Sequence, residues 1–156
     1  IGQRFFGWVA YTLMRAERRD GPTYGWRPFD YDQTHNLTIV ASANLGAGWE
    51  AGLRFRFVTG RPTTSPSPSI YNADTFAWIH VPGAYGNDRL PDFHQLDLRI
   101  EKRWRVGRGL VGAFLEVLNV YNQANIEGWE YADDGVHRAP IPSLPIVPNL
   151  GLRGEW

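Results

Sequence analysis

The chain has 156 residues, enough for one domain and too few for two large ones. Its 16 Lys and Arg balance its 16 Asp and Glu, so the basic excess of a nucleic-acid binder is missing and no nucleic-acid partner is expected. Cysteine is absent, which excludes a disulfide framework or a thiolate metal site within the chain.

Aromatics reach 14% of residues with seven Trp, beside 17 Gly and 11 Pro, a mixture that favours strands and turns over helices. No run of about 18 apolar residues occurs, so a membrane-spanning helix is excluded. The start, Ile1-Gly2-Gln3-Arg4, carries neither a basic nor an apolar stretch, so the chain reads as mature or truncated and an export signal is expected upstream.

Period-two alternation recurs in about six segments. The first, about Phe5 to Arg18, sets Val9, Tyr11 and Leu13 on one face. The second, Asn36 to Leu45, places Leu37, Ile39, Ala41 and Ala43 opposite Asn36, Thr38, Ser42 and Asn44. In the third, Trp49 to Phe57, Trp49, Ala51, Leu53, Phe55 and Phe57 oppose Glu50, Gly52, Arg54 and Arg56. The fourth, His94 to Trp104, sets Leu96, Leu98, Ile100 and Trp104 against Asp97, Arg99, Glu101 and Arg103. The fifth, Leu110 to Asn122, has Val111, Ala113, Leu115, Val117 and Tyr121 opposite Glu116. The sixth, Asn149 to Trp156, alternates Leu150, Leu152 and Trp156 with Arg153 and Glu155.

The connections alternate between short and long. Gly46-Ala47-Gly48 and Arg105 to Gly109 are short, whereas Arg19 to Thr34, Arg61 to Leu90 and Gln123 to Pro148 are long. In an up-and-down meander this puts short turns at one end and long loops at the other. Outer-membrane barrels follow that pattern, with short periplasmic turns and longer extracellular loops. Loops of this length are otherwise uncommon in compact domains.

Tryptophan placement gives a separate indication. Trp49 follows a short turn, Trp104 precedes one, and Trp156 lies at the same end; all three share the parity of the apolar face. Such a ring of indoles suits an aromatic girdle at a membrane–water boundary, with Lys102 able to snorkel its ammonium outward. Ordinary core packing is the alternative. Alternation alone fits a soluble or a membrane barrel, but segments of about 9–13 residues approach the span of a tilted transmembrane strand and exceed the usual 5–6. The expected fold is all-β: an antiparallel up-and-down meander of about six long strands, part of a transmembrane β-barrel.

Several stretches, in order, resemble the barrel of TonB-dependent outer-membrane receptors: Asp30-Tyr31-Asp32-Gln33-Thr34-His35-Asn36-Leu37, Arg54-Phe55-Arg56-Phe57-Val58-Thr59-Gly60-Arg61-Pro62, and Arg89-Leu90-Pro91-Asp92-Phe93-His94-Gln95-Leu96-Asp97-Leu98-Arg99. Leu115-Glu116-Val117-Leu118-Asn119-Val120-Tyr121-Asn122 and Pro148-Asn149-Leu150-Gly151-Leu152-Arg153-Gly154-Glu155-Trp156 continue the series. The resemblance implies that residues 1–156 are the C-terminal part of a barrel that, with a plug, imports a scarce ligand such as a siderophore or glycan. It implies outer-membrane lipid, the remaining strands, a plug and the barrel assembly machinery as partners, with no plug in these residues and the bacterial outer membrane as location. Asn149, Gly151 and Trp156 resemble an assembly signal, although Gly154 stands where an apolar residue is preferred and Trp156 replaces the commoner Phe.

The polar face would line the lumen with Glu50, Arg54, Arg56, Asp97, Arg99, Glu101, Arg103, Glu116, Arg153 and Glu155, either in cross-strand ion pairs or in ligand contact. Loop aromatics Tyr71, Phe76, Trp78, Tyr85, Trp129 and Tyr131 could hold a ligand or fold the loops on themselves.

His35, His80, His94 and His137 match no metal motif, and Asp133-Asp134 lacks the periodic ligands of a calcium loop. Asn36-Leu37-Thr38 fits a glycosylation sequon but begins a strand. No triad, P-loop or dinucleotide fingerprint occurs, so neither catalysis, a metal nor a cofactor is expected. The reading from another class is a soluble β-sandwich or β-barrel module that binds carbohydrate through loop aromatics.

Overall fold

Regular alternation of polar and apolar side chains favours extended backbone, because only a two-residue period gathers the apolar groups on one side. The computed structural model describes residues 4–156; Ile1–Gln3, part of the start that bears on an export signal, lie outside the described residues. Six long strands follow in chain order: β1 Phe5–Leu13, β2 His35–Gly46, β3 Trp49–Val58, β4 Phe93–Val106, β5 Gly109–Leu118 and β6 Val147–Glu155. They lie side by side in that order in one antiparallel sheet of six strands. The all-β meander is therefore observed. The sheet is open, with β1 and β6 at its edges, and the described residues contain no helix.

Turn chemistry sets the register. Ala47 and Gly48 connect β2 to β3 with φ of 49° and 78°, the backbone of a type I′ hairpin turn. A Cβ on Gly48 would lie 2.3 Å from the Arg103 carbonyl oxygen, so this position needs glycine for space as well as for its dihedral. Between β4 and β5 the turn is only Gly107-Arg108, with Gly107 at φ 60°, and Arg105 and Val106 extend β4. That connection is shorter than the sequence suggests, because glycine at the first turn position lets the ladder run to Val106 and Gly109.

Two other boundaries also differ. The first segment does not run unbroken to Arg18. Its ladder with β2 stops at Leu13, and Glu17–Arg18 pair instead with Arg27–Pro28. The cause is a local diversion in which the Ala16 amide donates to Asp32 Oδ1 at 2.7 Å. The fifth segment stops at Leu118, not Asn122. Asn119 and Asn122 take φ of 52° and 51°, and the Asn122 amide closes a turn onto the Asn119 carbonyl at 2.8 Å. Asparagine is among the few residues that enter this left-handed region readily.

The long connections contain four small two-stranded ribbons. The largest pair Ser67–Asn72 with Ala77–Val81 and Ile126–Tyr131 with Arg138–Pro142.

Burial is distributed in reverse of a soluble domain. Val58 and Leu90 are the buried hydrophobic residues among those described, whereas Asp32, Asp97, Glu101, Asn119 and Asn125 are buried polar ones. Soluble cores concentrate the opposite residue types.

Candidate functional site

Directly paired residues in an antiparallel sheet share a face. The register therefore gathers Thr38, Ser42, Glu50, Arg54, Arg56, Asp97, Arg99, Glu101, Arg103, Glu116, Arg153 and Glu155 on one side of the sheet. Leu37, Ile39, Leu53, Phe55, Leu98, Ile100, Leu115, Leu150 and Leu152 occupy the other.

On the polar side, Arg54 reaches Asp97 Oδ2 through Nη2 at 2.6 Å and Nε at 2.9 Å. Asp97 Oδ1 also accepts from Gln95 at 2.6 Å and from the Asn119 amide at 3.0 Å. Its carboxylate is 4% exposed and its lone pairs are well occupied. Glu101 accepts from Arg99 at 2.9 Å and Arg103 at 2.8 Å, and Arg103 also reaches Glu50 at 2.7 Å. Arg153 pairs with Glu155 at 2.6 Å. Arg56 and Glu116 form no ion pair among the described residues.

Missing side chains shape this face. At Gly52 the surface dips into a depression bordered by Ser42, Glu50, Arg54, Arg99, Glu101 and Glu116. Farther along, the Phe114 ring lies where a Cβ on Gly151 would sit, only 2.3 Å from its nearest ring carbon. The Arg99 guanidinium covers the same ring at 3.7 Å from its centroid. Gly151, expected as part of an assembly signal, thus also has a packing role.

The apolar side is uncovered: Leu53, Leu98, Ile100, Val111, Leu115, Leu150 and Leu152 are all exposed. Trp49 lies opposite Lys102, and Trp104 opposite Val111. Lys102 Nζ is 5.0 Å from the Trp49 ring centroid and donates to the Ala47 carbonyl. Trp156 lies just past β6 at the same end, its ring near Gly154.

A second aromatic row, missed in the sequence, lies at the long-loop end. Tyr11 OH is 2.8 Å from His35 Nδ1, and Tyr121 OH is 2.8 Å from His94 Nδ1. Phe57 pairs with both Leu37 and His94 on this face. The signal was available in parity, since His35 and His94 alternate in step with Leu37 and Leu96. From Trp104 to His94 is about 33 Å along an extended strand, or about 25 Å in height at the usual barrel tilt.

The long connections form one stitched layer. Arg89 holds Asp32 at 2.5 Å and donates to the Gly60 carbonyl at 2.9 Å. The preceding residue, Asp88, holds Arg138 at 2.7 Å and accepts from Ser65 Oγ at 2.9 Å. Burial pushes the Asp32 carboxyl upward, but the Ala16 amide and Arg89 guanidinium outweigh it and hold the group below its usual range. Arg138, the Arg89 amide and Ser65 do the same for Asp88.

Most of the loop aromatics named from sequence make contacts within this layer. Tyr71 packs edge-on against Trp78 at 5.3 Å between centroids. Arg27 covers Tyr85 at 3.7 Å and Arg138 covers Trp129 at 4.0 Å. Tyr131 OH is 2.7 Å from Ser65 Oγ. Phe76 stays 82% exposed at the tip of its hairpin.

His137 bonds Asp134 in an exposed turn, while His80 is 3.3 Å from Ser69 Oγ. Asp133 is exposed, and Asn36 is paired in β2. Asp97 and Glu101 are thus engaged by arginine, with an apolar surface on the reverse side of the sheet. Comparisons with protein-family models, curated proteins and solved structures return no match.

Proposed function

We propose that the chain is a wall segment of an outer-membrane β-barrel, of the TonB-dependent receptor kind, that imports a scarce ligand such as a siderophore or glycan. The inverted sheet carries this reading. On one side charged residues form a hydrogen-bonded layer in which the Asp97 and Glu101 carboxylates are buried beneath partly exposed arginines. On the other side the exposed aliphatic residues have no second layer over them among the described residues. That asymmetry suits a polar lumen and a lipid-facing exterior. The aromatic rows near the two ends of the apolar band support the same orientation, with short turns toward the periplasm and long loops outside.

Open edges are not stable in lipid, so β1 and β6 require further strands, whether from the same polypeptide or another. A plug and the barrel assembly machinery are the other proposed partners. The polar layer would face the plug or passing ligand, and the loop layer would cover the outer mouth. No catalytic step is assigned.

A soluble carbohydrate-binding sandwich would place a second sheet about 10 Å from the apolar face. The exposed Leu98, Leu150 and Leu152 argue against that packing.

Fractionation of the native cell envelope tests the proposal. Recovery with the outer membrane, in a species whose electrophoretic migration changes on heating, is expected. Recovery as a detergent-free monomer of the chain's own mass would reject it and favour the carbohydrate module.

A further inference from the structure

The apolar face is not uniformly filled. Across the sheet, Trp49, Lys102, Ala113 and Leu152 form one cross-strand row. Trp104, Val111 and Gly154 form the row toward the short turns, and Ala51, Ile100, Leu115 and Leu150 the row toward the loops. Ala113, at the centre of this grid, is smaller than its direct neighbours Lys102, Leu152, Val111 and Leu115.

The result is a depression of about 710 Å³ lined by Trp49, Ile100, Lys102, Trp104, Leu150 and Leu152, with Ala113 at its floor. Its size falls within the roughly 300–1,000 Å³ of small-molecule sites, and its walls are predominantly hydrophobic.

Its polar border has one sign. Lys102 holds its ammonium between the Trp49 ring and the Ala47 carbonyl, and donating one bond there leaves further N–H donors for another acceptor. Arg108 is exposed in the neighbouring turn and makes no ion pair among the described residues. No carboxylate lines the depression. An apolar trough with a cation at its turn-side end complements an acyl chain joined to a phosphate.

We propose that this depression is a site for one glycerophospholipid, with an acyl chain laid over Ala113 and the phosphate held by Lys102. The inference rests on the outer-membrane reading, which puts the short turns and Lys102 at the periplasmic leaflet. It goes further in specifying a retained lipid rather than a general hydrophobic surround.

The test uses the protein extracted from cell envelopes in mild detergent, stripped of lipid, and exposed to micelles containing phosphatidylglycerol or phosphate-free diacylglycerol. Intact-complex mass spectrometry then counts retained lipid. One phosphatidylglycerol per protein is expected, with diacylglycerol lost. Ala113→Phe should reduce the retained fraction at least tenfold by filling the trough. Lys102→Gln should reduce it severalfold while leaving heat-modifiable migration intact, which separates lipid recognition from folding. Equal retention of the two lipids, or equal phosphatidylglycerol retention by wild type and both variants, would overturn the site while leaving the barrel reading standing. Recovery of the protein as a soluble monomer would overturn both.

Discussion

Asp97 and Arg54 face each other across β3 and β4 at 2.6 Å, while their chain neighbours Leu98 and Leu53 face each other on the reverse side. The carboxylate is 4% exposed and the leucines are 41% and 39% exposed. The acidic partner is enclosed while its arginine stays partly exposed, and hydrocarbon is left outside on the reverse face. The same inversion extends along β4, where Glu101 is buried and Ile100 exposed.

Removing Asp97 should weaken the sheet. Asp97→Ala leaves the Asn119 amide without its acceptor and Arg54 without its partner. Because Arg54 remains partly solvated, the expected loss is about 1–3 kcal/mol, less than for a fully buried pair. Denaturant titration of the folded, heat-modifiable form checks this. Arg54→Leu combined with Asp97→Leu should cost less than the sum of the single changes.

Gly151→Val should be more damaging than its conservative size suggests. The new side chain would enter the space occupied by the Phe114 ring. Restoring space with Phe114→Ala in the same chain should recover part of the folded yield. Equal yields for Gly151→Val and wild type would contradict the packing role.

Asp88 and Arg89 reach different loops, so their substitutions should separate loop motions. Asp88→Ala removes the tie to Arg138 and should speed hydrogen exchange in residues 123–148. Arg89→Ala removes the tie to Asp32 and should act chiefly on residues 19–34. Exchange measured by peptide mass distinguishes these effects; identical patterns would contradict the division.

The Asp134–His137 turn should depend on pH at both extremes. Hydrogen bonding to His137 lowers Asp134 to about 2, and the same contact raises His137 above its ordinary 6.5. Asp134 contributes above its usual carboxylate range and loses its contribution as pH falls through about 2. His137 contributes below its ordinary value and loses its contribution as pH rises through the elevated one. Protection of the Val136 and His137 amides should therefore decline on the alkaline side of His137 titration and again in strong acid. His137→Gln should remove the alkaline change while retaining the Asp134 backbone bonds.

Much of the sheet was legible because strand alternation and turn glycines agree. Trp49–Phe57 shows one uninterrupted period and His94–Trp104 departs from its own only at Lys102, while Ala47-Gly48 and Gly107-Arg108 join the strands by tight turns, with one register shift between Asn44 and Gly46. The end of β5 was harder to read because Val117, Val120 and Tyr121 suggest continued strand, while Asn119 and Asn122 redirect the backbone. The charged layer was visible as residue parity, but partners such as Asp97 with Asn119 depend on folding that turn. Loop stitching was less accessible still. Nothing local to Asp88 or Arg89 identifies Arg138 and Asp32 as their respective partners, since those contacts join separate connections. The Tyr–His pairs had a local parity signal, but their hydrogen bonds also required the paired strands.

The chain contains no cysteine, which permits single-site spin labelling along residues 94–104 of β4 in the membrane-reconstituted protein. Accessibility to oxygen and to a water-soluble nickel chelate tests the inverted sheet most directly. The account predicts a two-residue period: even positions favour oxygen, with the largest preference near Leu98, and odd positions favour the chelate or are shielded. Shielding of the even positions from both reagents, or preferential access of the chelate there, would contradict a lipid-facing apolar surface.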